Sequence, residues 1–170
     1  MFKTLLTLIT ATVIAGTAWC ADTTMVNFDK EDAEFIRKAA LSGMLITHSS
    51  DVALKRGLSG DDKVFAQSVL DAHTKSNKEL RSLAEKKGVT LSGEFDEKHQ
   101  GKLDKISKAS DANFAERYLE GQISAHKDAI DLFEAQAEKG KDPDLKAFAA
   151  STLPHLKSHL EQAKRLENKY

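Results

Sequence analysis

Apolar residues recur every three or four positions along most of the chain, a spacing that is typical of amphipathic helices. No segment shows the strict alternation of apolar and polar residues that a half-buried strand would show. The pattern predicts four long helices over about residues 29–54, 62–87, 111–139 and 143–166, with a short helix near 94–107. The chain is therefore predicted to be all-α, a four-helix bundle in which each helix buries one apolar face.

The residues at the predicted helix ends support these boundaries. Gly88 follows the second helix, where glycine is a common C-terminal stop. Asp142 precedes Pro143 at the start of the fourth helix, where the missing proline N–H costs no hydrogen bond. The long connection over residues 88–110 can span a bundle about 40 Å high. Two topologies therefore stay open: a crossover that begins the third helix beside the first turn, and a simple up-down-up-down bundle.

The first twenty residues predict a secretory signal peptide. One lysine precedes an apolar run that is too short to span a bilayer, and small residues allow cleavage after Ala18 or Cys20. We therefore predict a signal peptide at residues 1–20 and a single four-helix-bundle domain at 21–170, periplasmic and without a transmembrane span in its mature form. Lipid attachment at Cys20 is the alternative, and it is disfavoured because Trp19 stands where a small residue is required.

Composition excludes several classes of function. The 25 basic and 26 acidic side chains are interspersed, so no block of positive charge predicts binding to nucleic acid. Loss of the single cysteine with the signal peptide would leave no disulfide, so the core alone must stabilise the domain. No nucleophile–base pair, phosphate-binding loop or cofactor fingerprint occurs, which favours a binding role over an ordinary enzyme and leaves protein partners unidentified.

Four histidines fall one on each long predicted helix: His73, His126 and His159 lie on the buried stripe, and His48 lies at the edge of its stripe. At a rise of about 1.5 Å per residue, all four lie about 15–25 Å from a bundle end in either topology. An imidazole in a bundle core must be hydrogen-bonded, charged at a cost, or bound to a metal. The common level therefore predicts a metal site, with His155 as a reserve ligand because it lies one turn before His159.

The ligand types indicate which metal this site would take. An imidazole-rich set without thiolates favours Zn²⁺ or Cu²⁺ over iron. Carboxylate-bridged di-iron sites in bundles use Glu-x-x-His pairs, and none occurs in this chain. Two functions follow as hypotheses: a periplasmic metal-binding bundle that buffers or senses an ion, or a non-metal, non-catalytic envelope interaction or stress protein. In the second, the core histidines form a polar network that fixes helix register.

The chain also resembles a known family over Asp29 to Leu166. The motifs that carry the resemblance, besides the histidines at 73, 126 and 159, are Phe35 to Ala39, Gly43-Met44, Val64 to Ala66, Asn77 to Leu80, Phe114, Tyr118, Leu132-Phe133, Leu145 to Ala149 and Leu153-Pro154. They are similar to the bacterial exported ferritin-like family of unknown function, whose members are often labelled outer membrane proteins. The resemblance implies a periplasmic ferritin-like bundle and metal binding, without an established reaction. His48 and Ala72 stand where that family commonly has carboxylates, which disfavours iron oxidation.

Overall fold

A computed structural model of the protein describes residues 28–170, and this part of the chain is helical without any strand. The helices are α1 (Lys30–Lys55), α2 (Gly60–Lys86), α3 (Glu97–Ser107), α4 (Phe114–Lys139) and α5 (Pro143–Glu167), with a 3₁₀ turn at Asp111–Asn113. The all-α prediction is confirmed. None of the described helices is long and apolar enough to cross a membrane. The predicted signal peptide at residues 1–20 lies outside the described residues.

Local chemistry explains where these helices begin and end. Asp142 accepts hydrogen bonds of 3.0 Å from the backbone amides of Asp144 and Leu145, which α5 itself leaves unpaired. Pro143 occupies the first helical position, as its sequence context predicts. At the end of α2, Gly88 adopts φ +68°, a left-handed conformation that side chains other than glycine disfavour. The sequence therefore specifies these ends through backbone hydrogen bonds and steric freedom.

Contacts at the two ends of the bundle establish its topology. Arg56, just beyond α1, donates hydrogen bonds to the carbonyl oxygens of Ser107 and Ala109, at 3.2 and 2.7 Å, shortly before α4 begins. At the opposite end, Gln136 of α4 donates to Asp32 of α1 at 2.7 Å. Helices α1 and α4 are therefore antiparallel, and the connection that contains α3 crosses the height of the bundle. Of the two topologies left open above, the structure has the crossover.

Helices α2 and α5 are antiparallel neighbours in the same way. Lys87 at the end of α2 forms an ion pair of 2.6 Å with Asp142 at the start of α5. At the other end, Lys169 forms an ion pair of 2.8 Å with Asp61. Because α1 contacts both α2 and α4, and α5 contacts the same two helices, the four long helices occupy the corners of a square. Helix α3 packs outside this square against α1 and α4.

The apolar core consists of two clusters in opposite halves of the bundle. One cluster contains Phe35, Phe133 and Phe148, with ring centroids 5.2 Å apart for the first pair and 5.7 Å for the second. The other surrounds Phe65 and Tyr118, whose ring centroids are 6.2 Å apart. Phe65 and Phe133 are 3% and 6% exposed, as the sequence pattern predicts. A polar layer separates the two clusters.

Candidate metal centre

Three histidines form the centre of this polar layer. His73 projects from α2, His126 from α4 and His159 from α5, and the three side chains are buried, at 7%, 0% and 5% exposure. Each occupies a position on the buried stripe of its own helix, one or two turns from residues of both apolar clusters. Helical periodicity therefore places the three imidazoles at the same height in the bundle, on three different helices.

The three rings are close enough to share one ion. The ring centroids of His73 and His126 are 5.2 Å apart, and that of His159 is 5.6 Å from each of the other two. Each ring offers one nitrogen such that the three atoms lie within 4.8 Å of one another. A tetrahedral ion with bonds of about 2.1 Å holds its nitrogen ligands about 3.4 Å apart. A bound ion would therefore draw the three nitrogens closer together than 4.8 Å, and they would fill three of its four positions.

Hydrogen bonding fixes which nitrogen of His126 is available. Its Nδ1 donates to the backbone carbonyl oxygen of Gln122 at 2.8 Å, so in the neutral ring Nε2 carries the lone pair. That Nε2 is buried without a hydrogen-bond partner in the described part of the chain, and so is Nδ1 of His159. A backbone carbonyl on the second nitrogen is the support that metal-bound histidines commonly have. Two of the three clustered rings therefore have a buried nitrogen that no protein group satisfies.

Burial keeps these imidazoles neutral. The pKa of His126 falls to about 4, because burial and the neighbouring charge of His159 outweigh the hydrogen bond to Gln122. Burial also lowers the pKa of His73 well below its ordinary value, and the charges of His126, His159 and His155 lower it further. The pKa of His159 is lowered by burial first and then by His155. At neutral pH all three rings are therefore in the form that coordinates metals.

His48 lies apart from this group. It is exposed, its Nδ1 bonds to the carbonyl oxygen of Met44 at 2.8 Å, and its ring meets the edge of Phe95 at 5.3 Å between centroids. The apolar surface of α1 is wider than one core stripe. The edge that carries Leu41 and Leu45 borders the connection that contains α3 rather than the bundle centre. The structure therefore brings three of the four helices' histidines together and leaves His48 on the outside.

His155 is also outside the group. It is exposed on α5, one turn before His159. Its charge nevertheless contributes to lowering the pKa of His73 and of His159. Within residues 28–170, no carboxylate or cysteine joins the three histidines as a further ligand. The candidate donors that these residue types supply are therefore three imidazole nitrogens.

Gln122 is a buried polar residue that the sequence reasoning placed on the α4 stripe without giving it a role. Its side-chain amide donates to the hydroxyl oxygens of Ser49 and Ser50 of α1, at 2.9 and 3.1 Å. Ser50 also bonds to the Tyr118 hydroxyl at 3.0 Å, and burial raises the pKa of that phenol. This network joins α1 to α4 one turn from His126. Its signal in the sequence is a glutamine on an apolar stripe and a Ser-Ser pair.

The fold and this centre define the class: an all-α bundle with a buried layer of three histidines. Residues 20–166 match the family described as a domain of unknown function (DUF4142), and the chain belongs to that family. Two solved structures show a similar helical fold. A DUF305 fragment from Deinococcus radiodurans has a TM-score of 0.75 at 9% identity and covers 84% of this chain and 99% of its own.

The second structure is a conserved hypothetical protein from Mycobacterium tuberculosis. It has a TM-score of 0.61 at 16% identity and covers 82% of this chain and 92% of its own. No curated protein matches the sequence. The two TM-scores show a shared helical fold, and at such low identities the likeness carries no information about ligands. Functional conclusions therefore depend on the chemistry of the histidine layer itself.

Proposed function

We propose that this protein binds one Zn²⁺ or Cu²⁺ ion through His73, His126 and His159 and acts as a periplasmic metal buffer or sensor rather than as an enzyme. The observation that carries the proposal is the convergence of three buried imidazole nitrogens within 4.8 Å. Two of these rings carry nitrogens without a hydrogen-bond partner in the described chain. An unpaired buried polar group destabilises the fold by about 1–3 kcal/mol, which a bound ion would offset.

The proposal also includes a periplasmic location and a ferritin-like relationship. The periplasmic location is inferred from the signal-like residues 1–20, with cleavage after Ala18 or Cys20. A ferritin-like relationship is supported by the antiparallel neighbouring helices and the long crossover between α2 and α4. The choice of Zn²⁺ or Cu²⁺ follows from a set of imidazoles without thiolates or carboxylates.

Calorimetric titration with each ion tests the proposal on untagged protein purified from the periplasm, after elemental analysis of the protein as isolated. We expect one ion per chain. His73→Leu and His126→Leu should each weaken binding by at least about 100-fold, since a lost ligand should cost no less than a lost supporting residue. His48→Leu is the matched control and should bind as the wild type does, because His48 lies outside the group. Absence of binding in the wild type would overturn the proposal.

A second candidate is a non-metal envelope protein in which the polar layer fixes the register of the helices. The hydrogen-bonded chain of Tyr118, Ser50 and Gln122 favours it, because that chain joins α1 to α4 across the core. On this alternative neither ion binds. His73→Leu should then leave stability unchanged or raise it, because an apolar side chain replaces a buried polar ring.

A further inference from the structure

We infer that the side-chain amide oxygen of Gln122 is the fourth ligand of the metal centre, an inference that rests on the proposed function. The three histidines supply nitrogens from α2, α4 and α5, which are three corners of the bundle. A tetrahedral ion requires one more donor. The fourth corner is α1, and its own histidine, His48, is exposed. A protein group on the side of α1 is therefore the donor that the geometry favours.

The Gln122 side chain lies at that corner although it belongs to α4. Its Nε2 is 3.4 Å from the carbonyl oxygen of Ile46 and within 3.1 Å of the hydroxyl oxygens of Ser49 and Ser50, all on α1. Gln122 is one helical turn before His126, on the same buried face. Its backbone carbonyl also accepts the Nδ1–H of His126. The carboxamide is therefore placed between α1 and the turn of α4 that carries a metal ligand.

Two hydroxyl groups fix which way this carboxamide is oriented. The Oγ of Ser49 donates to the carbonyl oxygen of Leu45 at 2.7 Å, and that of Ser50 donates to Ile46 at 2.9 Å. Because both hydroxyl protons are committed, both hydroxyl oxygens accept, and only the NH₂ end of Gln122 can satisfy them. The amide oxygen is consequently turned away from these serines. An orientation fixed by several bonds is what preorganises a ligand atom.

The amide oxygen has no other role in the described structure. Gln122 is 0% exposed, and its Oε1 has no hydrogen-bond partner among residues 28–170. Only four buried side-chain atoms in that part of the chain share this condition, and three of them are Gln122 Oε1, His126 Nε2 and His159 Nδ1. A cation accepts lone pairs from nitrogen and oxygen alike, so one ion would satisfy all three. The resulting set of three imidazoles and one neutral oxygen suits Zn²⁺ and Cu²⁺.

A water molecule is the competing fourth ligand. A cavity of about 10 Å³ borders His73 between Ser76 and Asn77 of α2 and the facing helices. That volume is close to the minimum that holds one water. A bound water and the Gln122 oxygen predict different spectroscopic results, so the two can be separated on the same sample.

The experiment uses Cu²⁺ as the probe, with electron paramagnetic resonance and calorimetry on the mature protein. We expect Gln122→Leu to weaken Cu²⁺ binding by about 10–100-fold and to change the copper hyperfine splitting. His48→Leu is the control, because His48 is exposed and lies outside the group, and its copper spectrum should match that of the wild type. Wild-type affinity and an unchanged spectrum in Gln122→Leu would overturn the assignment while leaving the three-histidine site intact.

Measurement in water enriched in oxygen-17 keeps the test decisive if Gln122→Leu fails to fold. We expect the wild-type copper lines to be as narrow as in ordinary water, because the fourth donor is a protein oxygen. Line broadening would show a water ligand and overturn the assignment of Gln122. If calorimetry shows that the wild type binds neither Cu²⁺ nor Zn²⁺, the proposed function and this inference are both overturned, a result distinct from the other two.

Discussion

The stability of the metal-free protein should fall as the pH falls from about 6.5 to about 4. In the unfolded chain His126 has a pKa near the ordinary value of 6.5, whereas burial in the folded protein lowers it to about 4. Between these values the unfolded state binds a proton that the folded state does not, so protons favour unfolding. At about 1.36 kcal/mol per pKa unit, this difference amounts to about 2.5 kcal/mol between pH 7.5 and pH 4.5. His73 and His159 add to the effect with the same sign, because burial also lowers the pKa of each.

Urea unfolding monitored by circular dichroism in the presence of a chelator measures this loss. The wild type is compared with His126→Leu over pH 7.5 to 4.5, a range above the ordinary pKa of 3.8 that applies to the aspartates. The variant should lose about 2.5 kcal/mol less than the wild type across the range, because it lacks the titrating ring. Equal losses in the two proteins would refute the conclusion that His126 is buried and neutral. Stability that rises toward acid pH in the wild type would refute it as well.

Two further predictions concern the core and the N-terminus. Phe133→Ala should reduce the free energy of unfolding by about 3–5 kcal/mol, because the Phe133 ring packs between Phe35 and Phe148. Val64 is 70% exposed, so the control Val64→Ala should change that free energy by less than about 0.5 kcal/mol. Similar losses for the two variants in urea would contradict the assigned core. The intact mass of the exported protein should match a chain that begins at residue 19 or 21, and a mass that includes diacylglycerol on Cys20 would contradict the predicted signal peptide.

Helical periodicity predicts the elements of this fold and the positions of His73, His126 and His159, because each of these histidines lies on the stripe that its helix buries. It places His48 only at the edge of the α1 stripe, and height in the bundle alone grouped His48 with the other three. The apolar surface of α1 covers both the bundle centre and the side that borders α3, so apolar neighbours do not distinguish the two. His48 packs against Phe95, which lies in the connection just before α3. The local sequence pattern does not specify how that connection packs on α1.

The topology and the role of Gln122 depend on pairings between distant parts of the chain. The choice between the two topologies rests on Arg56, which bonds to carbonyl groups 51 and 53 residues later. The Gln122 amide is oriented by serines 73 and 72 residues earlier. A glutamine on an apolar stripe indicates from sequence that a buried partner must exist. Only the packing of α4 against α1 identifies that partner and leaves the oxygen unpaired.

Within the polar layer, the difference between paired and unpaired atoms separates the two functional hypotheses. A network that only fixed helix register would need the amide nitrogen of Gln122 and the hydroxyl groups of Ser50 and Tyr118, and these are hydrogen-bonded. It would gain nothing from the unpaired lone pairs on His126, His159 and Gln122, each of which destabilises the fold by about 1–3 kcal/mol. Apolar side chains at the histidine positions would avoid that destabilisation and would still separate the helices. These unpaired atoms are therefore the observation that favours the metal-binding hypothesis over a network that only fixes helix register.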